Sequence, residues 1–206
     1  VLEVLRSGIL AMGPRTHELE TAWAEYCGVK HAVFMANGTV AQEAILRSMG
    51  IGPGDEVVTV SFSFNATASA ILQAGATPVF VDVRDDDFTM DPELVEAAIT
   101  PRTRAIMAVH MLGNPARIGE LKAVADRHGV ALLEDCAQAM GARYGDRGVG
   151  AYGVMGGFSF NEYKTITAGD GGMVVTDDEA LYRRAFAIHD QGHSPLRLGV
   201  EVGQRP

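Results

Sequence analysis

The chain has 206 residues, 47% of them hydrophobic, enough to bury the core of one large domain or two small ones, with one α/β domain the simpler reading. Seventeen Lys and Arg against 26 Asp and Glu give a net charge of -9, which argues against nucleic acid or an anionic membrane as the main partner. No apolar run reaches the roughly 20 residues of a membrane helix and no signal-peptide pattern is present, while two cysteines without CxxC spacing, Cys27 and Cys136, point to reduced thiols and a cytoplasmic compartment.

The opening "VLEVLRSGIL" reads as a helix already under way with no initiator methionine, so the chain is expected to be a fragment. From Thr16 to Cys27, Leu19, Trp23 and Tyr26 recur at helical spacing and Gly28 supplies a stop. "HAVFM" (31–35) is a buried strand, and "NGTVAQEAILRSMG" restarts a helix that ends at Gly50. The theme repeats: "EVVTV" before "NATASAILQAG", "TPVFVDV" before "DPELVEAAI", "RAIMAV" before "IGELKAVADRHG", then "VALLEDC". Asp91 followed by Pro92 predicts an N-cap and a first helical residue. Between Gly141 and Gly157 the density of glycine predicts irregular backbone. Strands alternating with helices imply βαβ units and a largely parallel sheet buried on both faces, whose ligands gather at the carboxyl ends of the strands.

Four such ends carry candidate chemistry. After "HAVFM", Asn37-Gly38-Thr39 opens a helix whose free N–H groups and dipole suit a phosphate, although ordinary capping uses the same residues. In "LLEDCAQAMGA", Glu134 and Asp135 close an apolar strand, where a carboxylate needs a cation such as a protonated pyridine nitrogen; a cap or surface ion pair is the plain alternative. Gln138 could bring its amide to the same ligand. If residues 58–64 are extended, Phe62 and Phe64 face one way and one of them could stack on a flat ring, unless both are core. In "FSFNEYKTITAGDGGMV" (158–174), Ser159 can donate to an anion and Lys164 can be an amine nucleophile toward an aldehyde, against the reading of a solvated surface lysine. Together the four ends supply phosphate donors, a ring stacker, an anion and an amine, the set that pyridoxal phosphate requires. No GxxxxGK[ST] and no well-placed GxGxxG is present. His189 and His193 have helical metal-ligand spacing, but Gly192 and Pro195 argue against a shared face. His110 lies at a strand end as either a site residue or a satisfied structural histidine.

The order "NGTVAQ", "SFSFNATA", "VHMLGNPA", "LLEDCAQAMGA", "FSFNEYKTITAGDGGMVVTDD" resembles the DegT/DnrJ/EryC1/StrS aminotransferases over nearly the whole chain. The resemblance implies the aspartate-aminotransferase fold (fold type I), here a large domain spanning residues 1–206, with a small C-terminal domain beyond the closing "GQRP". It implies that Lys164 holds the cofactor through a Schiff base, that Asp135 pairs with the pyridine nitrogen, and that Gln138 approaches the ring hydroxyl. Gly38, Thr39 and Ser159 would bind the phosphate and Phe64 would stack on the ring. It further implies a homodimer whose partner subunit completes the phosphate site. The expected reaction passes an amino group from glutamate or glutamine to a keto sugar, nucleotide-linked. The alternatives are a cyclitol or other keto acceptor, or a protein that binds the cofactor without turnover. The family's sugar dehydratases carry histidine in place of the lysine, whereas this chain has Lys164.

Overall fold

The computed structural model describes residues 1–193, so Pro195 and the closing "GQRP" lie outside the described residues. The chain opens with two helices, α1 (Leu2–Ser7) and α2 (Pro14–Cys27). Gly28 ends α2 with φ 74°, the left-handed conformation that glycine adopts without a side-chain clash. There follow β1 (His31–Met35), α3 (Gly38–Ser48), β2 (Glu56–Val60), α4 (Ala66–Gln73), β3 (Thr77–Val81), α5 (Pro92–Ala98), β4 (Thr103–Val109), α6 (Ile118–His128) and β5 (Ala131–Asp135). As the sequence predicts, the Asp91 carboxylate caps α5 by accepting the Glu93 N–H at 2.9 Å, with Pro92 as the first helical residue. The glycine-dense stretch is less irregular than expected. It contains a short hairpin, β6 (Arg143–Tyr144) and β7 (Arg147–Gly148), and it leads directly into β8 (Met155–Ser159). A last strand β9 (Gly172–Thr176) and helix α7 (Glu179–His189) complete the described chain.

Seven strands form one sheet in the order β1-β9-β8-β5-β4-β2-β3. The β3, β2, β4, β5 and β8 strands pair in parallel, and β9 runs antiparallel to both β8 and β1. Strand alternation sends successive side chains to opposite faces. Val57, Met107, Leu133, Met155 and Val174 pack on α3, α4 and α7. On the opposite face Val58, Ile106 and Leu132 pack with Ile118, Leu121 and Val95 of α6 and α5, while Phe158, Met173 and Val175 pack on Trp23 of α2. Both faces are thereby covered, which is why "EVVTV" is buried at all five positions rather than alternating. Each such aliphatic or aromatic side chain contributes about 1.5–3 kcal/mol through its removal from water.

Parallel pairing also brings the carboxyl ends of β1, β8, β5, β4 and β2 to one edge of the sheet. Met35, Gly172 and Ser159 sit opposite one another across β1, β9 and β8, so the turn after β1 and the end of β8 flank the start of β9. In the sheet interior, a side chain on Gly156 would place its Cβ 2.6 Å from the backbone of Gly150. Gly156→Ala is therefore expected to lower stability by about 1–3 kcal/mol through overpacking, measured as the shift in urea midpoint; a change under about 0.5 kcal/mol would contradict this contact.

Candidate active site

The edge at β1 and β8 is shaped by missing side chains. A Cβ on Gly38 would lie 2.8 Å from the Cβ of Ser159, and one on Gly172 would lie 2.2 Å from the Asn37 carbonyl oxygen. Only glycine at both places lets the start of α3 press against the ends of β8 and β9. Asn37 caps the helix, its side chain accepting the Val40 N–H at 2.9 Å and its carbonyl accepting the Ala41 N–H at 3.0 Å. Among the described residues the N–H groups of Gly38 and Thr39 have no acceptor, which leaves two donors at the positive end of an 11-residue helix. Buried Ser159 adds a hydroxyl at the same place, its Oγ accepting, among the described residues, only a long 3.4 Å bond from the Asn161 N–H. Ordinary capping and anion binding thus coexist here, through different N–H groups.

The two acidic residues at the end of β5 separate by strand alternation. Asp135 is 5% exposed; its Oδ2 accepts the Thr67 hydroxyl at 2.7 Å and its Oδ1 accepts the Ala137 N–H at 3.0 Å. Burial raises its pKa, against the lowering effects of Thr67, Ala137, His110 and the Lys164 charge. Glu134 is fully buried on the other side. Its Oε2 accepts from His110 Nε2 at 3.0 Å and the Gly150 N–H at 2.8 Å, while its Oε1 accepts the Tyr152 and Gly153 N–H groups at 2.7 and 2.6 Å. Burial alone would raise the Glu134 pKa; the bonds from His110, Gly153 and Gly150 hold it below the usual carboxylate value.

Ligand atoms of His110, Glu134 and Cys136 lie within 4.8 Å of one another, yet this group is not arranged to take a metal. Four donors use the four lone-pair directions of Glu134, and His110 Nδ1 accepts the Ala116 N–H at 3.0 Å. His110 is therefore the satisfied histidine of the two sequence alternatives. Burial pushes the Cys136 thiol far up and the Cys27 thiol up to about 12, so neither is a nucleophile. At the far end of the chain α7 stops at His189 and Gly192 takes φ 89°, so His189 and His193 share no helical face.

Lys164 lies in the turn after β8, half-buried, with its N–H bonded to the Asn161 carbonyl at 2.9 Å. Its side chain makes no hydrogen bond or ion pair among the described residues, and its charge acts on Asp135. Gln138 accepts the Leu112 N–H on Oε1 at 3.1 Å, which leaves the two donors of its Nε2 unused among the described residues. The condition for placing Phe62 and Phe64 on one strand face is not met: β2 ends at Val60 and the backbone bends over residues 61–63. Phe62 instead packs against Phe88, with centroids 6.5 Å apart. Phe64, 65% exposed, lies two residues before the helix whose Thr67 reaches Asp135, its carbonyl accepting the Thr67 N–H at 3.2 Å. Thr67 was not singled out by the sequence; its one signal is the i,i+4 spacing from Ser63, whose hydroxyl it meets at 2.7 Å.

The residues brought to one sheet edge are those of the sequence resemblance, and the family's profile matches residues 1–201. The chain belongs to the DegT/DnrJ/EryC1/StrS aminotransferase family. It is 47% identical over 92% of its length to the UDP-N-acetyl-3-dehydro-alpha-D-glucosamine 3-aminotransferase of Acidithiobacillus ferrooxidans, of which it covers 52%. Among solved structures it matches an aminotransferase from Psychrobacter cryohalolentis with a TM-score of 0.91 at 40% identity, over 94% of this chain and 50% of that one. It matches NtdA of Bacillus subtilis, solved with bound cofactor PMP, with a TM-score of 0.85 at 32% identity, over 90% of this chain and 42% of that one. The chain thus spans about half the length of the relatives it matches, and its fold is that of these aminotransferases.

The raised pKa of Asp135 sets a pH-dependent expectation. A carboxyl group whose folded pKa exceeds its unfolded one favours folding below the ordinary aspartate value, and that contribution is lost as pH rises through the folded pKa. Asp135→Asn is expected to raise the Tm of cofactor-free protein at about pH 7 and to give a smaller gain near about pH 4, where unfolded aspartate is itself half protonated. Thermal unfolding across this range checks it; a variant less stable than wild type at neutral pH would show that burial does not dominate.

Proposed function

We propose that this chain is the cofactor-binding large domain of a pyridoxal-phosphate-dependent aminotransferase that passes an amino group from glutamate or glutamine to a nucleotide-linked keto sugar. The observation that carries this reading is the placement of Lys164, a half-buried amine without a side-chain partner among the described residues, where its charge reaches a buried carboxylate whose pKa is raised. A site built of protein alone would pair that acid or leave it in water. The residues fit the cofactor in detail: the Gly38, Thr39 and Ser159 donors suit its phosphate, Asp135 its ring nitrogen, the Gln138 amide its ring hydroxyl, and exposed Phe64 a face of its ring. The name of the Acidithiobacillus relative supports a sugar-nucleotide ketone as acceptor.

When bound, the cofactor supplies an electron sink for the carbanion formed at the substrate carbon. The chain's own residues do the rest. Lys164 Nζ is the amine that would hold the cofactor by its aldehyde and, once released from it, would take and return the substrate proton as general base and acid. Asp135 would hold the ring nitrogen, and that cation would favour the ionised carboxylate by replacing the water the group loses on burial. Thr67 and Ala137 fix both of its oxygens. Two buried free thiols fit a reducing compartment, the cytoplasm.

Lys164→Ala is expected to abolish the borohydride-reducible adduct and to lower turnover by about 10²–10⁴-fold, tested on the full-length protein by reduction, mass spectrometry and rate assay. An adduct that persists at the same place would refute the assignment.

The assembly we propose is a homodimer with the site at its two-fold interface. Phe64, Leu112 and Tyr163, on segments that leave the carboxyl ends of β2, β4 and β8, are 65%, 77% and 88% exposed, an apolar rim that a second subunit would cover. Sedimentation of the full-length protein with cofactor should show a dimer or a multiple of it; an active monomer would rule out a shared site.

A further inference from the structure

One buried group is left unexplained by the chemistry above. His110 follows β4 directly, has no exposure, and uses both ring nitrogens. Because Nδ1 accepts the Ala116 N–H at 3.0 Å, the ring proton must reside on Nε2, which donates to Glu134 at 3.0 Å. Glu134 cannot turn away, since three backbone N–H groups of the 150–153 segment hold its two oxygens. The acid thus fixes both the tautomer and the orientation of the imidazole.

The imidazole in turn closes the segment 110–116. That segment holds a backbone few residues accept: Leu112 at φ 55° and Gly113 at φ 84°. A leucine in the left-handed region costs on the order of 1 kcal/mol, and the cost persists only where surroundings impose it. Leu112 is 77% exposed, so packing of its side chain does not impose it. The segment's anchors include the Ala116-to-His110 bond at one end and the Leu112 N–H to Gln138 Oε1 bond at 3.1 Å in the middle, beside the Asn114 side chain, which donates to the Asp87 carbonyl at 2.9 Å, and the Asn114 N–H, which donates to the Met111 carbonyl at 2.9 Å. A backbone N–H can only be met by the amide oxygen, so this contact decides which way the Gln138 amide faces and leaves its NH₂ as donor.

We propose that His110, locked by Glu134, is a positioning residue: by holding the 110–116 turn it sets the Gln138 amide with its donors toward the cofactor's ring hydroxyl. This rests on the cofactor reading above and adds a device that works through Gln138 without touching the cofactor.

Two substitutions divide the imidazole into its halves. His110→Gln keeps a donor where Nε2 stands and loses the acceptor for the Ala116 N–H; His110→Asn keeps that acceptor and loses the donor. In full-length protein loaded with pyridoxal phosphate, His110→Gln is expected to shift the cofactor absorbance band and raise its Kd about five- to tenfold, the scale of one lost hydrogen bond. His110→Asn should keep the wild-type band. In a Gln138→Leu background, His110→Gln should add nothing further, because the two act in series. Effects that add in full, or a His110→Gln protein with the wild-type band and Kd, would overturn the proposal. Should His110→Gln fail to fold, His110→Asn carries the test: a folded protein with a shifted band overturns it. Wild type that forms no cofactor band overturns the cofactor reading and this inference with it, whereas a normal wild-type band with additive variants removes the inference alone.

Discussion

A carboxylate taken out of water at the end of β5 is the constraint around which this edge of the molecule is organised. Among the described residues Asp135 accepts two hydrogen bonds and makes no ion pair, with only the longer-range influence of His110 and Lys164. Burial without full compensation is costly, and the fold keeps it because neighbouring strands bury the end of β5. Val109 and Gly157 pair with Asp135 on either side, and α4 brings Thr67 over it. Burial therefore holds the Asp135 pKa above its ordinary value despite these bonds.

Its neighbour shows the opposite solution to the same problem. Glu134 is equally buried but complete, its four bonds coming from one imidazole and three backbone N–H groups. One residue apart, one acid accepts two bonds and the other accepts four that tie loops together. Only the two-residue period of the strand separates them. The shape of the site follows from glycine as much as from the charged residues: Gly38 and Gly172 let α3 approach β8 and β9 to distances a single added carbon would forbid.

Much of this was legible in the chain. The βαβ rhythm, the stop at Gly28 and the cap at Asp91 follow from local rules: periodicity, left-handed glycine and an accepting side chain before a helix. Gly38, Thr39, Asp135, Gln138, Ser159 and Lys164 are candidates because each lies at or just beyond the end of a strand that the sheet aligns at one edge. The strand alternation that would put Phe62 and Phe64 on one face needs an extended 58–64, and β2 ends at Val60; for Phe64 the resemblance alone remains. Thr67 was not found at all, because a hydroxyl in a helical turn looks the same whether it faces solvent or a buried acid.

The sequence by itself determined the class of fold and the family, because those depend on residue type, order and spacing along the chain. Tertiary structure decided which of the two acids is fully bonded, which histidine nitrogen carries the proton, how the Gln138 amide is turned, and that Ser159 meets Gly38 across 121 residues of chain. These are contacts between segments distant in sequence. They are set by strand register and by the distance of closest approach, quantities that no local pattern of residues encodes.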